Sequence, residues 1–225
     1  MTDIIAASKS WFFRFPVVDG FDMKNYRLVT EPDELSLEMI RNNKPRYVFF
    51  PHWNWRVEDK ILEEVECVAF HLAPLPEGRG GSPIQNLILR GFTKAPLNSL
   101  RMSAELDGGP IYCSSSISLD GTAEEIFLRM AEKIQEQIIT IQETRPVPVP
   151  QVGQPSVFKR LGRSDNEILP EFSIDKIWDY IRMVDSPDYR PAFLHFGQHQ
   201  IEFSQASFST DGIEGKFLIR PKDQT

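Results

Sequence analysis

The chain has 225 residues, 41% of them hydrophobic and 25% charged, the make-up of a globular protein with one substantial domain and a small appendage. Its 25 basic residues face 32 acidic ones, a formal net charge of −7, which argues against a broad nucleic-acid-binding face. No apolar run approaches the ~18 residues of a membrane span, and the start Met1-Thr2-Asp3-Ile4-Ile5 lacks the basic and apolar regions of a secretory signal.

Cys67 and Cys113, the two cysteines, lie in apolar runs and read as buried thiols in a reducing cytoplasm. Residues 3–7 predict a first strand, followed by the aromatic connection Ser8-Lys9-Ser10-Trp11-Phe12-Phe13. No GxGxxG follows it, so a dinucleotide site has no support. A second strand is predicted over 26–29, then a helix capped by Thr30 with Pro32 in its first turn, running to about Asn42. Residues 46–50 form a strand that Pro51 ends. A short helix over 57–65 precedes a strand over 66–70, and a further helix spans 83–90. Strands over 97–104 and 111–117 flank Asp107, and Thr122-Ala123-Glu124-Glu125 is a capping box opening a long amphipathic helix to about Thr144. The alternation predicts an α/β fold: a Rossmann-like, mostly parallel sheet with helices on both faces.

The run Arg145-Pro146-Val147-Pro148-Val149-Pro150 reads as the domain edge, giving a catalytic domain over 1–150 and a small C-terminal α+β extension over 151–225. That extension predicts a helix over 173–184 and short strands over 193–196, 200–204 and 216–219.

The densest signal is His71-Leu72-Ala73-Pro74-Leu75-Pro76-Glu77-Gly78-Arg79-Gly80-Gly81-Ser82-Pro83. A histidine where a strand becomes a rigid loop lies where open α/β sheets bind ligands. Proline removes backbone freedom, and glycine lets main chain approach a ligand. Downstream, Leu106-Asp107-Gly108-Gly109-Pro110-Ile111 embeds an acid in a glycine turn before a strand. His71, Leu75-Pro76, Arg79-Gly80, Pro83 and Leu106-Asp107-Gly108 with Pro110-Ile111 match, in order, the formyltransferases that use 10-formyltetrahydrofolate. Ile181-Arg182-Met183-Val184-Asp185 followed by Pro191-Ala192-Phe193 also resembles that family's C-terminal region. There is one departure: the family's asparagine two residues before the histidine is Ala69 here. Asn54 and Asn86 are candidate replacement donors, and Asn54 is preferred.

The resemblance implies formyl transfer from 10-formyltetrahydrofolate to an amine through a tetrahedral intermediate. That chemistry calls for donors aimed at the formyl oxygen and a group that manages the amine proton. His71, oriented by Asp107, takes the proton role; Phe50, Pro51, His52, Trp53, Leu106 and Gly108 bound the pterin slot; Arg79, Gly80 and Gly81 contact the acceptor, with Arg79 alternatively bracing its loop by binding carbonyls. His52 has no nearby cysteine or carboxylate cluster of ligand spacing, so no metal is expected. The acidic charge and short C-terminal region favour a nucleotide-linked amino sugar as acceptor, with neither nucleic acid nor membrane as partner. The alternatives are a methionyl-tRNA formyltransferase relative and a noncatalytic folate or nucleotide-sugar binding protein, which Ala69 keeps open. The apolar C-terminal strands can pair across a homodimer.

Overall fold

The computed structural model describes residues 2–8 and 11–222; Lys9 and Ser10 of the expected aromatic connection lie outside them. A six-stranded sheet forms the core. In chain order the main elements are β1 (Ile4–Ala7), α1 (Trp11–Arg14), β2 (Arg27–Val29), α2 (Leu37–Asn43), β3 (Tyr47–His52), α3 (Asp59–Glu64), β4 (Glu66–Leu72), β5 (Arg79–Gly80) and α4 (Pro83–Leu89). They continue with β6 (Lys94–Arg101), β7 (Ile111–Ser118), α5 (Ala123–Thr144), β8 (Val157–Phe158), α6 (Ile174–Arg182), β9 (Ala192–Phe196), β10 (His199–Ser209) and β11 (Gly212–Pro221). The sheet order is β2-β1-β3-β4-β6-β7. The first four strands are parallel, whereas β6 runs antiparallel to both β4 and β7.

Period-two alternation divides the core between the two faces. Ile5, Phe49, Val68, Phe70 and Leu72 pack with α4 and α5 in one cluster, which includes Ile84, Leu87, Ile126 and Ile134. Ile4, Ala6, Val48, Phe50 and Cys67 pack with Met39 and Ile40 of α2 and Ile61 of α3 in the other. The same alternation turns Ala69 and His71 to the α2/α3 side. The capping box is present as expected, with Thr122 accepting from Glu125 N–H and the Glu125 carboxylate holding Thr122 N–H at 2.7 Å.

Two local expectations change. Thr30 caps no helix: the Glu34 carboxylate takes the N–H groups of Thr30 and Glu31, closing a 3₁₀ turn over Pro32–Glu34. The helix starts later, on Ser36, whose hydroxyl accepts from Met39 N–H at 3.1 Å. Pro51 does not end its strand either, since β3 continues to His52.

The C-terminal part is a three-stranded antiparallel sheet, β11-β10-β9, with α6 against it. The proline-rich segment leading to it is bound to the first part rather than free. Val149 bridges Ile111, and β8 pairs in parallel with β5 inside the His71 loop.

Candidate active site

β4 carries His71 to its penultimate position, where the side chain is only 7% exposed. Its Nε2 lies 2.8 Å from the Gly78 carbonyl oxygen. A carbonyl only accepts, so Nε2 carries a proton and donates it to Gly78. Nδ1 is therefore the nitrogen left for chemistry, and it faces Asp107 Oδ2 at 3.5 Å. Two loops far apart in sequence thus meet at the histidine: the turn after β4 at one ring nitrogen, the turn between β6 and β7 at the other.

Each loop is braced. Asp107 has a left-handed backbone, φ +49°, which aspartate tolerates better than most residues. Its Oδ2 also accepts from Gly80 N–H at 2.9 Å. Gln151 grips the same turn by donating from Nε2 to the carbonyls of Asp107 (2.7 Å) and Gly109 (2.8 Å). The Gln151 Oε1 accepts from Arg79, whose other arm reaches Glu105 at 2.5 Å. Ser156 accepts from Gly78 N–H through its hydroxyl and from Arg79 N–H through its carbonyl. Gly78, at φ +77°, lies flat on Phe158, and a Cβ there would stand 2.5 Å from the ring. Gly109 is required more strictly, because a Cβ would overlap the Arg101 carbonyl oxygen.

Arg79 is 9% exposed and fully engaged by Glu105 and Gln151, so it braces the loop rather than offering its fork to a substrate. Gly80 gives its N–H to Asp107, and Gly81 lies close to the stem of Arg160. Asn86 is committed as well: its amide donates to the carbonyls of Gly81, Ser82 and Lys159. Asn54 is exposed two residues beyond β3 and makes no side-chain hydrogen bond among the described residues.

The amide that stands opposite His71 is one the sequence reading passed over. Asn98 of β6 is the register partner of His71 and is 3% exposed. It donates to the Ala73 carbonyl at 2.7 Å and lies 3.5 Å from the His71 carbonyl. Its signal in the sequence was a polar residue in the apolar strand Ala95-Pro96-Leu97-Asn98-Ser99-Leu100. Gln151 had no local signal.

Of the expected slot residues, Phe50 is buried next to Ala69 in register, and Trp53 packs edge-on against it at 5.8 Å between ring centroids. Trp55 extends that wall, 4.9 Å from Trp53 and 40% exposed. Ala69, partly exposed, presents only a methyl group between Phe50 on β3 and Leu100 on β6, on the His71 face of the sheet. Leu106 (68% exposed) and Gly108 belong to the turn holding Asp107. Pro51 is buried, and His52 is tied to β1: its Nδ1 lies 3.0 Å from the Ser8 hydroxyl and its carbonyl accepts from Ser8 N–H. Cys67 shares the His71 face, but burial, helped by Glu66, pushes its thiol up to about 12, so it is no nucleophile near neutrality. A separate cavity of about 570 Å³ lies between the start of α5 and the 184–191 loop, away from these residues. Among the described residues no cluster of histidine, cysteine or carboxylate side chains can hold a metal ion, and no helix is long and apolar enough to cross a membrane.

Comparison with known proteins gives consistent matches. Residues 163–220 match the family model described as methionyl-tRNA formyltransferase, C-terminal domain. The chain is 28% identical to the methionyl-tRNA formyltransferase of Campylobacter fetus over 54% of its length and 40% of the relative's. For that of Mesoplasma florum the figures are 23%, 86% and 65%. The matched stretch is thus less than two thirds of either curated relative. A solved methionyl-tRNA formyltransferase from Clostridium thermocellum is 38% identical, covers 99% of this chain and 100% of its own, and superposes with a TM-score of 0.90. HypX from Aquifex aeolicus, solved in complex with tetrahydrofolic acid, shares the fold at TM-score 0.72 and 13% identity over 92% of this chain and 38% of its own. A structure from Mycobacterium tuberculosis described as a likely sugar N-formyltransferase does so at 0.62 and 13% over 99% of both chains.

Proposed function

The chain belongs to the formyltransferase family, and on that premise we propose that it transfers a formyl group from 10-formyltetrahydrofolate to a primary amine. The observation that carries this reading is the His71–Asp107 couple, with Nε2 held on Gly78 and Nδ1 open toward the carboxylate. When bound, 10-formyltetrahydrofolate supplies an electrophilic formyl carbon on N10, whose oxygen gathers negative charge as the amine attacks. The partly exposed Ala69 methyl, beside Phe50 and its edge-on partner Trp53, offers apolar surface on the His71 face for the flat heteroaromatic ring of the folate. His71 Nδ1 takes a proton from the attacking amine, Asp107 stabilises the imidazolium so formed, and that proton passes to N10 as the C–N10 bond breaks, releasing tetrahydrofolate and the formamide. Asn98 Nδ2 is committed to the Ala73 and Pro96 carbonyls, and the two N–H groups of protonated His71 to Gly78 and Asp107, so what this face offers a developing oxyanion is the positive charge of the imidazolium. The acceptor amine must be neutral to attack.

For the acceptor, the α-amino group of methionyl-tRNA has the stronger support, from the whole-length likeness to the Clostridium thermocellum protein. Exposed Arg90, Lys159 and Arg160 gather beside the loop, with Arg90 stacked 4.6 Å over Phe158. They suit a phosphate-bearing acceptor even on an acidic chain. The net charge of −7 favours a second reading, a nucleotide-linked amino sugar. The test offers methionyl-tRNA and a panel of nucleotide amino sugars, each with 10-formyltetrahydrofolate, and reads mass gain. A tRNA acceptor should also bind with a steep inverse dependence on salt, roughly −0.7 to −0.9 in log–log slope per phosphate contacted. Formylation of a sugar alone would overturn the first choice. Absence of formyl transfer to any amine, with folate bound, would overturn the enzyme reading.

A further inference from the structure

Phe50, Trp53 and Trp55 form an aromatic run that leaves the core at the carboxyl end of β3, beside the strand that carries His71. Phe50 is 3% exposed, and Trp53 packs with the same α2/α3 cluster. Trp55 is 40% exposed, although tryptophan is highly buried on average. Its one aromatic contact among the described residues is Trp53, at 4.9 Å with the ring planes 70° apart. In such an edge-to-face pair one ring turns its edge to the face of the other. At least one face of the Trp55 indole is therefore uncovered by its partner. Arg56 follows, its side chain 79% exposed and 3.0 Å from Asp59, which is exposed too.

The formyl donor makes a demand that these residues meet. Its N10, which carries the formyl group, is bonded directly to the p-aminobenzoyl ring. A second flat ring must therefore lie beside His71, followed by a glutamate with two carboxylates. On the loop after β3 and the turn holding Asp107, the large apolar side chains left exposed are Trp55 and Leu106. Leu106 stands between two acids, Glu105 and Asp107, the wrong neighbours for a glutamate. Trp55 offers a flat face and is followed by a cation. Arg90, Lys159 and Arg160, which suit the acceptor's phosphates, belong to other elements, the end of α4 and the segment after β8.

We propose that Trp55 is the platform on which the p-aminobenzoyl ring of 10-formyltetrahydrofolate stacks, and that Arg56 receives the carboxylates of its glutamate, an inference that rests on the formyl-donor reading above. The run Phe50–Trp53, Trp55, Arg56 then follows the donor from its bicyclic ring through its second ring to its anionic end, with exposure rising along the way. Stacking on Trp55 restricts the ring that bears N10 and so positions the formyl carbon, a role of orientation and not of proton transfer. Arg56 gives up little to serve. Its pair with Asp59 is solvent-exposed and weak, and its planar fork suits a carboxylate.

Equilibrium binding of three probes to the full chain tests this: tetrahydropterin, which has the bicyclic ring alone; tetrahydropteroate, which adds the p-aminobenzoyl group; and tetrahydrofolate, which adds the glutamate. The wild type should gain affinity at each step. Trp55→Ala should leave tetrahydropterin binding unchanged and weaken tetrahydropteroate and tetrahydrofolate alike, by about tenfold, as loss of one aromatic stack does. Trp55→Phe should recover most of that loss. Arg56→Gln should spare the first two probes and weaken tetrahydrofolate about threefold, an effect that fades with added salt. The acceptor KM should stay at its wild-type value in every variant. Binding of all three probes weakened equally by Trp55→Ala would mark a structural role and overturn the proposal. So would undiminished tetrahydropteroate binding, or an effect confined to the acceptor KM, each leaving the formyl-donor reading intact. A wild type that binds none of the three probes overturns that reading together with this one.

Discussion

Replacing Asp107 by asparagine separates the charge of this residue from its shape. Asparagine tolerates the φ of +49° that position 107 requires, and its carbonyl oxygen can keep the bond from Gly80 N–H now made at 2.9 Å. What is lost is the negative charge 3.5 Å from Nδ1 of a histidine whose side chain is 8% exposed. Coulomb's law at an effective dielectric of about 20 gives about 4.7 kcal/mol for unit charges at that separation. The amide dipole recovers part, leaving about 3–4 kcal/mol to be missing when the imidazolium forms. At 1.36 kcal/mol per decade, kcat should fall roughly 10²- to 10³-fold, with little change in thermal stability. Asp107→Ala should behave differently. It loses the Gly80 bond and places alanine in the left-handed region, together about 2–4 kcal/mol. For a chain of this size that is a drop in Tm of roughly 4–16 °C. Formyl transfer followed by mass spectrometry, with melting curves of both variants, makes the comparison. An Asp107→Asn enzyme turning over within threefold of wild type would refute the role of Asp107 in stabilising the imidazolium, and an Asp107→Ala protein melting like wild type would refute the bracing role.

Gln151→Ala should free the Asp107 turn and leave Arg79 with Glu105 alone, lowering kcat by about tenfold or more while Gln151→Glu, which cannot donate to the two carbonyls, does no better; steady-state kinetics would show it. Gly109→Ala should abolish soluble expression, since its Cβ would overlap the carbonyl oxygen of Arg101, which is fixed by pairing with Val68 and by its N–H bond to Pro110, while Gln151 holds the Gly109 carbonyl. Burial raises the Cys67 thiol from an ordinary 9.0 to about 12, so its contribution to stability is complete below pH 9 and is lost as pH rises toward 12, while the unfolded thiol ionises first. Urea melts at about pH 8 and about pH 10.5 should show a smaller alkaline loss in Cys67→Ala than in wild type, and equal losses would contradict the burial argument.

The parts of this fold legible in the sequence are those set by local physics. Thr122 and Glu125 form their box from spacing alone, and Ser173 caps α6 where its hydroxyl precedes an amphipathic stripe. The apolar runs of β1, β3 and β4 mark buried strands, and the structure divides their side chains between the two core faces. Where two local choices competed, the sequence was ambiguous: Thr30 and Ser36 are both good caps, and the choice fell to the Glu34 carboxylate closing a turn between them. The direction of β6 escaped because alternation carries no sense of direction. Asn98 escaped as a partner of His71 because strand register is a non-local quantity. His71 and Asp107 were visible because each joins a strand to a glycine turn, whereas Gln151, the residue that holds one of those turns, belongs to neither motif.

The segment 145–158 shows why a composition-based boundary misplaces chemical function. Alternating prolines keep it extended, which suits a linker. An extended segment is also one whose backbone groups are unpaired and available, and this one gives them to the site. Val149 pairs Ile111 just after the Asp107 turn, Gln151 clamps that turn, and Ser156 and Phe158 hold Gly78 and Arg79. The Gly78 carbonyl so held is the group that fixes the His71 tautomer. A division at residue 150 would therefore leave His71 and Asp107 on one side and the groups that orient them on the other. The formyl-transfer geometry proposed for this chain depends on both parts, with the proline-rich segment acting as the strut between them.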